Sequence, residues 1–196
     1  MKDMRTRLFK ISVFSLLICS VLFSGQKVKE TELPARHRDF LNLTRYIIRE
    51  EEKDVFMQLK TDIDRDIFIE TFWKMRDPTP GTPKNEYKDE HVRRFNYANK
   101  YLGRNSTREG WRTDMGMMYI ILGEPISKDR FPATKDIYPC EVWYYYGDQS
   151  KGLPPHFGLV FYQRGGAGEY KLYNPVSDGP AALLIKSYRM DPFYTI

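Results

Sequence analysis

A chain of 196 residues, 41% hydrophobic and 15% aromatic, carries enough apolar matter for one folded core, or for a helical segment with a small sheet domain, which excludes disordered and fibrous classes. The formal charge of +5 owes much to the start: the first 25 residues hold four Lys and Arg against one Asp, leaving 27 basic and 25 acidic residues, a net +2, beyond them. No Lys/Arg block interleaved with aromatics is present, so nucleic-acid binding is not expected.

Residues 1–25 have the three parts of a secretory signal: a basic start (Lys2, Arg5, Arg7, Lys10), an apolar run from Ile11 to Phe23, and the small pair Ser24-Gly25. The run has 13 residues, short of the roughly 20 that a spanning helix needs, so cleavage and export to a periplasmic or cell-surface location are expected. Cys19, after Leu16-Leu17-Ile18, offers an alternative lipidation point, although Ile18 stands where such signals carry a small residue. Membrane contact is expected only through this segment or such a lipid anchor. The chain has two cysteines, and loss of the leader leaves Cys140 without an intramolecular partner, so stability must come from the core.

Residues 26–38 are charged and contain Pro34, and read as a tether, with order beginning near Phe40. Residues 39–104 read as a helical segment. Tyr46-Ile47-Ile48 is a short extended candidate. Glu50, Glu51 and Glu52 then open a helix whose apolar positions are Val55, Phe56 and Leu59. Thr61 caps a second helix, with Ile63, Ile67, Phe68 and Trp73 as its stripe and the prolines from Pro78 to Pro83 as its stop. The alternation Asp62, Asp64, Asp66 lacks the glycine and terminal glutamate of a calcium loop and reads as a solvated face. A third helix spans about Asn85 to Leu102, with Tyr87, His91, Phe95, Ala98 and Leu102 inward and Gly103 as its end.

Residues 105–174 read as a sheet region, and 175–196 as a less regular tail. Met117 to Leu122 is ambiguous: Tyr119, Ile120 and Ile121 favour a strand, whereas Thr113 or Asp114 as cap and Gly123-Glu124-Pro125 as stop favour a short helix, and the balance leans to strand. Cys140 to Tyr146, Gly158 to Gln163 and Tyr170 to Tyr173 predict antiparallel strands, with Arg164 to Gly168 as a turn. The expected class is α+β, about three helices packed on a small antiparallel sheet.

The run Gly110-Trp111-Arg112-Thr113-Asp114, followed by Leu122-Gly123-Glu124-Pro125, pairs a large aromatic with turn and capping residues at fixed spacing. It resembles the bacterial GWxTD domain family, and the resemblance extends from about Tyr46 to Leu172. It takes in Trp73, Arg76, Asp77 and Pro78 around the proline segment, then Asn85, Glu86, His91 and Arg94, and Trp143 further on. That resemblance implies no activity, because the family has none assigned. Met115 stands where the family often has a basic residue, so no role that needs an Asp–Arg pair there is carried over. A weaker similarity links the Gly-aromatic turn, the Leu-Gly-x-Pro stop and Trp143-x-Tyr145 to small outer-membrane assembly lipoproteins.

The pentapeptide has a mechanical reading: Gly110 permits a tight turn, Trp111 anchors it, and Thr113 or Asp114 accepts backbone N–H groups, making a folding joint. The rival reading leaves Asp114 an exposed carboxylate near Arg76 or His91. His91 is the leading acid–base candidate, with Asp77, Asp114 or Glu124 as partner. Trp143-Tyr144-Tyr145-Tyr146 must turn some rings outward, making Tyr144, Tyr145 and Tyr146 binding candidates. Scattered histidines give no metal site, no cofactor motif is present, and Gly165 to Gly168 lacks the Lys-Ser/Thr of a phosphate loop. The expected function is a noncatalytic cell-envelope binding or assembly module whose partner is an envelope protein or cell-wall component; the alternative is an exported hydrolase using His91 with Asp77 or Asp114.

Overall fold

The computed structural model describes residues 29–185, and the expectations for a leader, for Cys19 and for the end of the tail lie outside them. Among the described residues the chain is α+β, with five α-helices lying mostly N-terminal to a four-stranded antiparallel sheet. It divides into two compact units between Phe72 and Trp73.

The first unit holds α1 (Ala35–Thr44), α2 (Glu50–Gln58) and most of α3 (Asp62–Lys74). Its core is a phenylalanine cluster. Phe40 lies 5.3 Å from Phe56 and 5.2 Å from Phe72, and Phe56 lies 5.3 Å from Phe68. Helical structure therefore starts before Phe40, in residues read as tether: Leu33, His37, Phe40 and Leu41 are buried, and the His37 ring meets Phe56 edge to face at 6.0 Å. Tyr46 to Ile48 form a turn rather than an extended segment, closed by the Ile47 and Ile48 N–H groups on the Thr44 carbonyl.

Phe68 and Trp73 of the expected stripe of α3 face inward, joined by Arg65, Ile69 and Phe72, whereas Ile63 and Ile67 are exposed, as is Val55 on α2. The stripe was hard to see because a charge heads it. Arg65 is buried with its guanidinium on the Leu59 carbonyl and on Asp62 at 3.2 Å. The aspartates are likewise more than a solvated face. Asp66 takes a bond at 2.9 Å from Nε2 of His37, which is fully buried, and Asp62 lies 3.6 Å from its Nδ1. Thr61 caps the helix as expected, accepting the Asp64 N–H at 3.1 Å.

In the second unit Asn85 caps α4 (Glu86–Tyr97), its Oδ1 accepting the Lys88 N–H at 2.9 Å while its Nδ2 donates to the Trp73 carbonyl. A π-helical turn, Ala98–Leu102, extends α4 to Gly103. The ambiguous run is a helix, α5 (Asp114–Leu122), against the leaning to strand. It is apolar on nearly every side, so periodicity decides little. The ends decide it: Thr113 caps it and Gly123, at φ +86°, stops it.

The sheet order is β1-β2-β3-β4, with β1 Ser127–Phe131, β2 Cys140–Tyr146, β3 His156–Tyr162 and β4 Lys171–Leu172. Strand β1 went unexpected because Ser-Lys-Asp-Arg-Phe has almost no apolar content, and all five of its residues are exposed. Trp143, Tyr145 and Phe161 face inward onto Met115 and Tyr119 of α5, forming the core of this unit. Cys140 is a free, buried thiol whose pKa burial raises.

Candidate functional site

The pentapeptide folds as a single 3-10 turn, Gly110–Arg112, leading into α5. Its glycines are required by contact. A Cβ on Gly110 would overlap the Ala98 carbonyl of the π turn, and one on Gly116 would overlap the Gly110 carbonyl. Trp111 is buried, stacks on Phe95 at 5.8 Å and donates its backbone N–H to the Asn99 side chain at 3.1 Å. Thr113 is 1% exposed; its hydroxyl donates to the Gly110 carbonyl at 2.8 Å and accepts the Gly116 N–H at 3.0 Å. Asp114 is half-buried, and its Oδ2 accepts the Leu172 N–H of β4 at 2.9 Å.

The far end of α5 is held just as closely. Arg94 donates from Nη1 to the carbonyls of Ile120 at 3.4 Å and Ile121 at 3.3 Å, placing a cation at the helix C-terminus. Glu90 holds the same guanidinium at 2.7 Å, and its hydrogen bonds to Arg93 and then Arg94 lower its pKa to about 2. Gly123 packs against the Arg94 guanidinium, where a Cβ would approach to 3.0 Å, and Tyr145 donates to the Gly123 carbonyl at 3.3 Å. Pro125 is buried beside them. Spacing alone gave no hint that Arg94 reaches the end of α5.

This pattern also matches a known sequence family, the GWxTD domain, over residues 25–173. The chain belongs to the GWxTD domain family. No curated protein and no solved structure matches it. Residues of this pattern thus hold the ends of two helices, α4 and α5. Asn85 fixes the start of α4, Arg94 and Gly123 fix the end of α5, Gly110 to Asp114 fix its start, and Trp143 packs at 6.4 Å from Tyr119 on its inner face.

The acid–base candidates are placed as follows. His91 is buried, with the Trp73 ring at 5.9 Å and the Tyr87 ring stacked at 6.4 Å. Asp77 is half-buried and its Oδ1 accepts the Thr79 N–H at 3.0 Å, the turn that opens the proline segment at Pro78; Arg76 beside it is also half-buried. Glu124 is exposed. The Asp77 carboxylate thus shapes a loop turn and the Asp114 carboxylate anchors β4.

The aromatic run of β2 alternates as the pleat demands. Tyr144 and Tyr146 face outward, 38% and 68% exposed, whereas Tyr145 faces inward at 5% exposed, which corrects its reading as an outward ring. On the outward side Tyr146 pairs with His156, the rings meeting edge to face at 4.7 Å, and Tyr144 pairs with Gly158, which leaves the ring uncovered from that strand. These residues with Ile126 and Ser127 line a shallow concavity of about 430 Å³. Sequence reasoning missed His156 here, because only the strand register brings it beside Tyr146.

Proposed function

We propose that this GWxTD protein is an exported, noncatalytic module of the cell envelope that binds an envelope protein or cell-wall component through the outward face of its sheet. One observation carries the reading: Tyr144, Tyr146, His156 and Ile126 gather into an open aromatic concavity, while Asp114 is committed to the backbone of β4. Exposed aromatic rings on a rigid sheet offer large contact area at small entropic cost, which suits recognition. The leader-like start supports export, and the engagement of Asp114 by the β4 backbone and of Asp77 by the Thr79 N–H favours structural roles for these two carboxylates.

The test is capture from an envelope fraction with the wild-type chain and with Tyr146→Ala and Tyr144→Ala. A specific partner held by wild type and lost by folded variants is the expected result. Equal capture by all three chains would remove the outward face from the account.

A further inference from the structure

On the inward side of the sheet, a cleft of about 460 Å³ opens between the π turn, the loop after it and strands β1 and β2. Register places Lys128 opposite Trp143 and Arg130 opposite Glu141, so both basic side chains of β1 share this face. Two acids line the cleft, and each already has its cations. Glu141 is buried, with Oε1 accepting from Trp143 Nε1 at 2.6 Å and Oε2 from Arg130 Nε at 3.0 Å. Glu169 is held by Arg108, by Ser106 Oγ at 2.9 Å and by Lys171 Nζ at 3.2 Å.

Two further cations lining the cleft have no acid. Arg104 and Lys128 form no ion pair among the described residues; Arg104 lies 5.3 Å from the centre of the Tyr101 ring, and Lys128 Nζ lies 4.6 Å from that of Trp143. A ring face steadies a cation without neutralising it, so both charges stay available to an anion. The rest of the lining is rich in hydrogen-bonding groups: the tyrosines at 97, 101 and 170, the Asn105 amide, and the second lone pairs of the Glu141 oxygens. Burial first of all raises the pKa of Tyr97 and of Tyr170, keeping both hydroxyls as neutral donors. The volume falls within the roughly 300–1,000 Å³ of small-ligand sites.

We propose that this cleft binds an anionic saccharide, a hydroxylated ring bearing a carboxylate, with the charge taken by Arg104 and Lys128 and the hydroxyls by Asn105, the tyrosines and Glu141. A ring with many hydroxyls uses a wall of phenols, amide and carboxylate that an apolar ligand would leave unsatisfied. The site is distinct from the outward concavity and does not depend on it.

Calorimetric titration with trigalacturonic acid, its methyl ester and succinate tests the proposal. The acid is expected to bind the wild-type chain at least tenfold more tightly than the ester, whose carboxylates are masked as neutral methyl esters, and tenfold more tightly than succinate, which lacks the ring. Arg104→Gln and Lys128→Gln, both on exposed residues, should each weaken the acid about threefold to tenfold and leave the ester unchanged. Tyr146→Ala should bind the acid as wild type does, which separates this site from the outward face. Equal binding of acid and ester, equal binding of succinate, unchanged affinity when Arg104→Gln and Lys128→Gln are combined in one chain, or no binding of the acid up to about 1 mM would each overturn it.

Discussion

The Asp114 carboxylate accepts the backbone N–H of Leu172 at 2.9 Å, across 58 positions of sequence. This bond ties the first turn of α5 to β4, an edge strand of only two residues that has few bonds of its own. The last residue of the pentapeptide is thereby a fastening between helix and sheet. Thr113 and the two glycines serve the same end by seating the turn against the π-helical segment.

Gly110→Ala and Gly116→Ala test that seating. Each new methyl would meet a backbone carbonyl rather than a flexible side chain, so the turn itself must move. Each is expected to cost about 3 kcal/mol or more, at the upper end for overpacked sites. Chemical denaturation checks this, and a loss below about 1 kcal/mol, the ordinary cost of many surface changes, would show that the close approach is not required.

Glu90 gives a pH dependence of definite sign. Its folded-state pKa is depressed to about 2, so its contribution is present above the unfolded value near 4.5 and is lost as pH falls toward 2. Its side chain is 42% exposed, so screening holds the effect below about 1 kcal/mol. Melting curves of wild type and Glu90→Gln should differ at pH 6 and converge toward pH 2. A constant gap across that range would contradict the assignment.

The first unit offers a separate test at His37. Asp66→Ala removes the acceptor of a fully buried imidazole, which is expected to cost about 1–3 kcal/mol. Asp64→Ala, which touches only the exposed Thr61 cap, should cost less. The ratio of the two, read by urea unfolding, checks that the aspartates of α3 do different work.

Much of this fold was legible where one face of an element carries one kind of residue. The strand Cys140–Tyr146, most of His156–Tyr162, expected from Gly158 on, and the helix starting near Asn85 follow from aromatic and β-branched runs and from helical spacing. Helix α1 and strand β1 did not, for related reasons. The inward positions of α1 include His37, and β1 consists largely of charges facing solvent or the cleft, so neither writes an apolar pattern. Ile63 and Ile67 misled in the opposite sense, being apolar yet exposed while Arg65 is buried. At the candidate site the outward rings were readable from β2 alone, apart from the phase that turns Tyr145 inward. His156 beside Tyr146 and Arg94 at the end of α5 depend on contacts no spacing contains.

Surface substitutions should separate recognition from folding. Tyr144→Ala and Tyr146→Ala remove exposed rings, so each is expected to change stability by no more than about 0.5 kcal/mol for Tyr146 and somewhat more for the half-covered Tyr144. Circular dichroism melts alongside the capture experiment check this. A large loss of stability in Tyr146→Ala would mean that the ring supports the sheet.

The central claim is that the pentapeptide fastens the fold, and equilibrium denaturation of Asp114→Ala beside Asp114→Asn tests it most directly. Asparagine keeps an oxygen that can accept the Leu172 N–H, whereas alanine leaves that half-buried donor without its partner. The account predicts a loss of about 1–3 kcal/mol for alanine and a clearly smaller one for asparagine. Near-native stability of Asp114→Ala would contradict it, and would return Asp114 to the set of carboxylates free to act on a ligand.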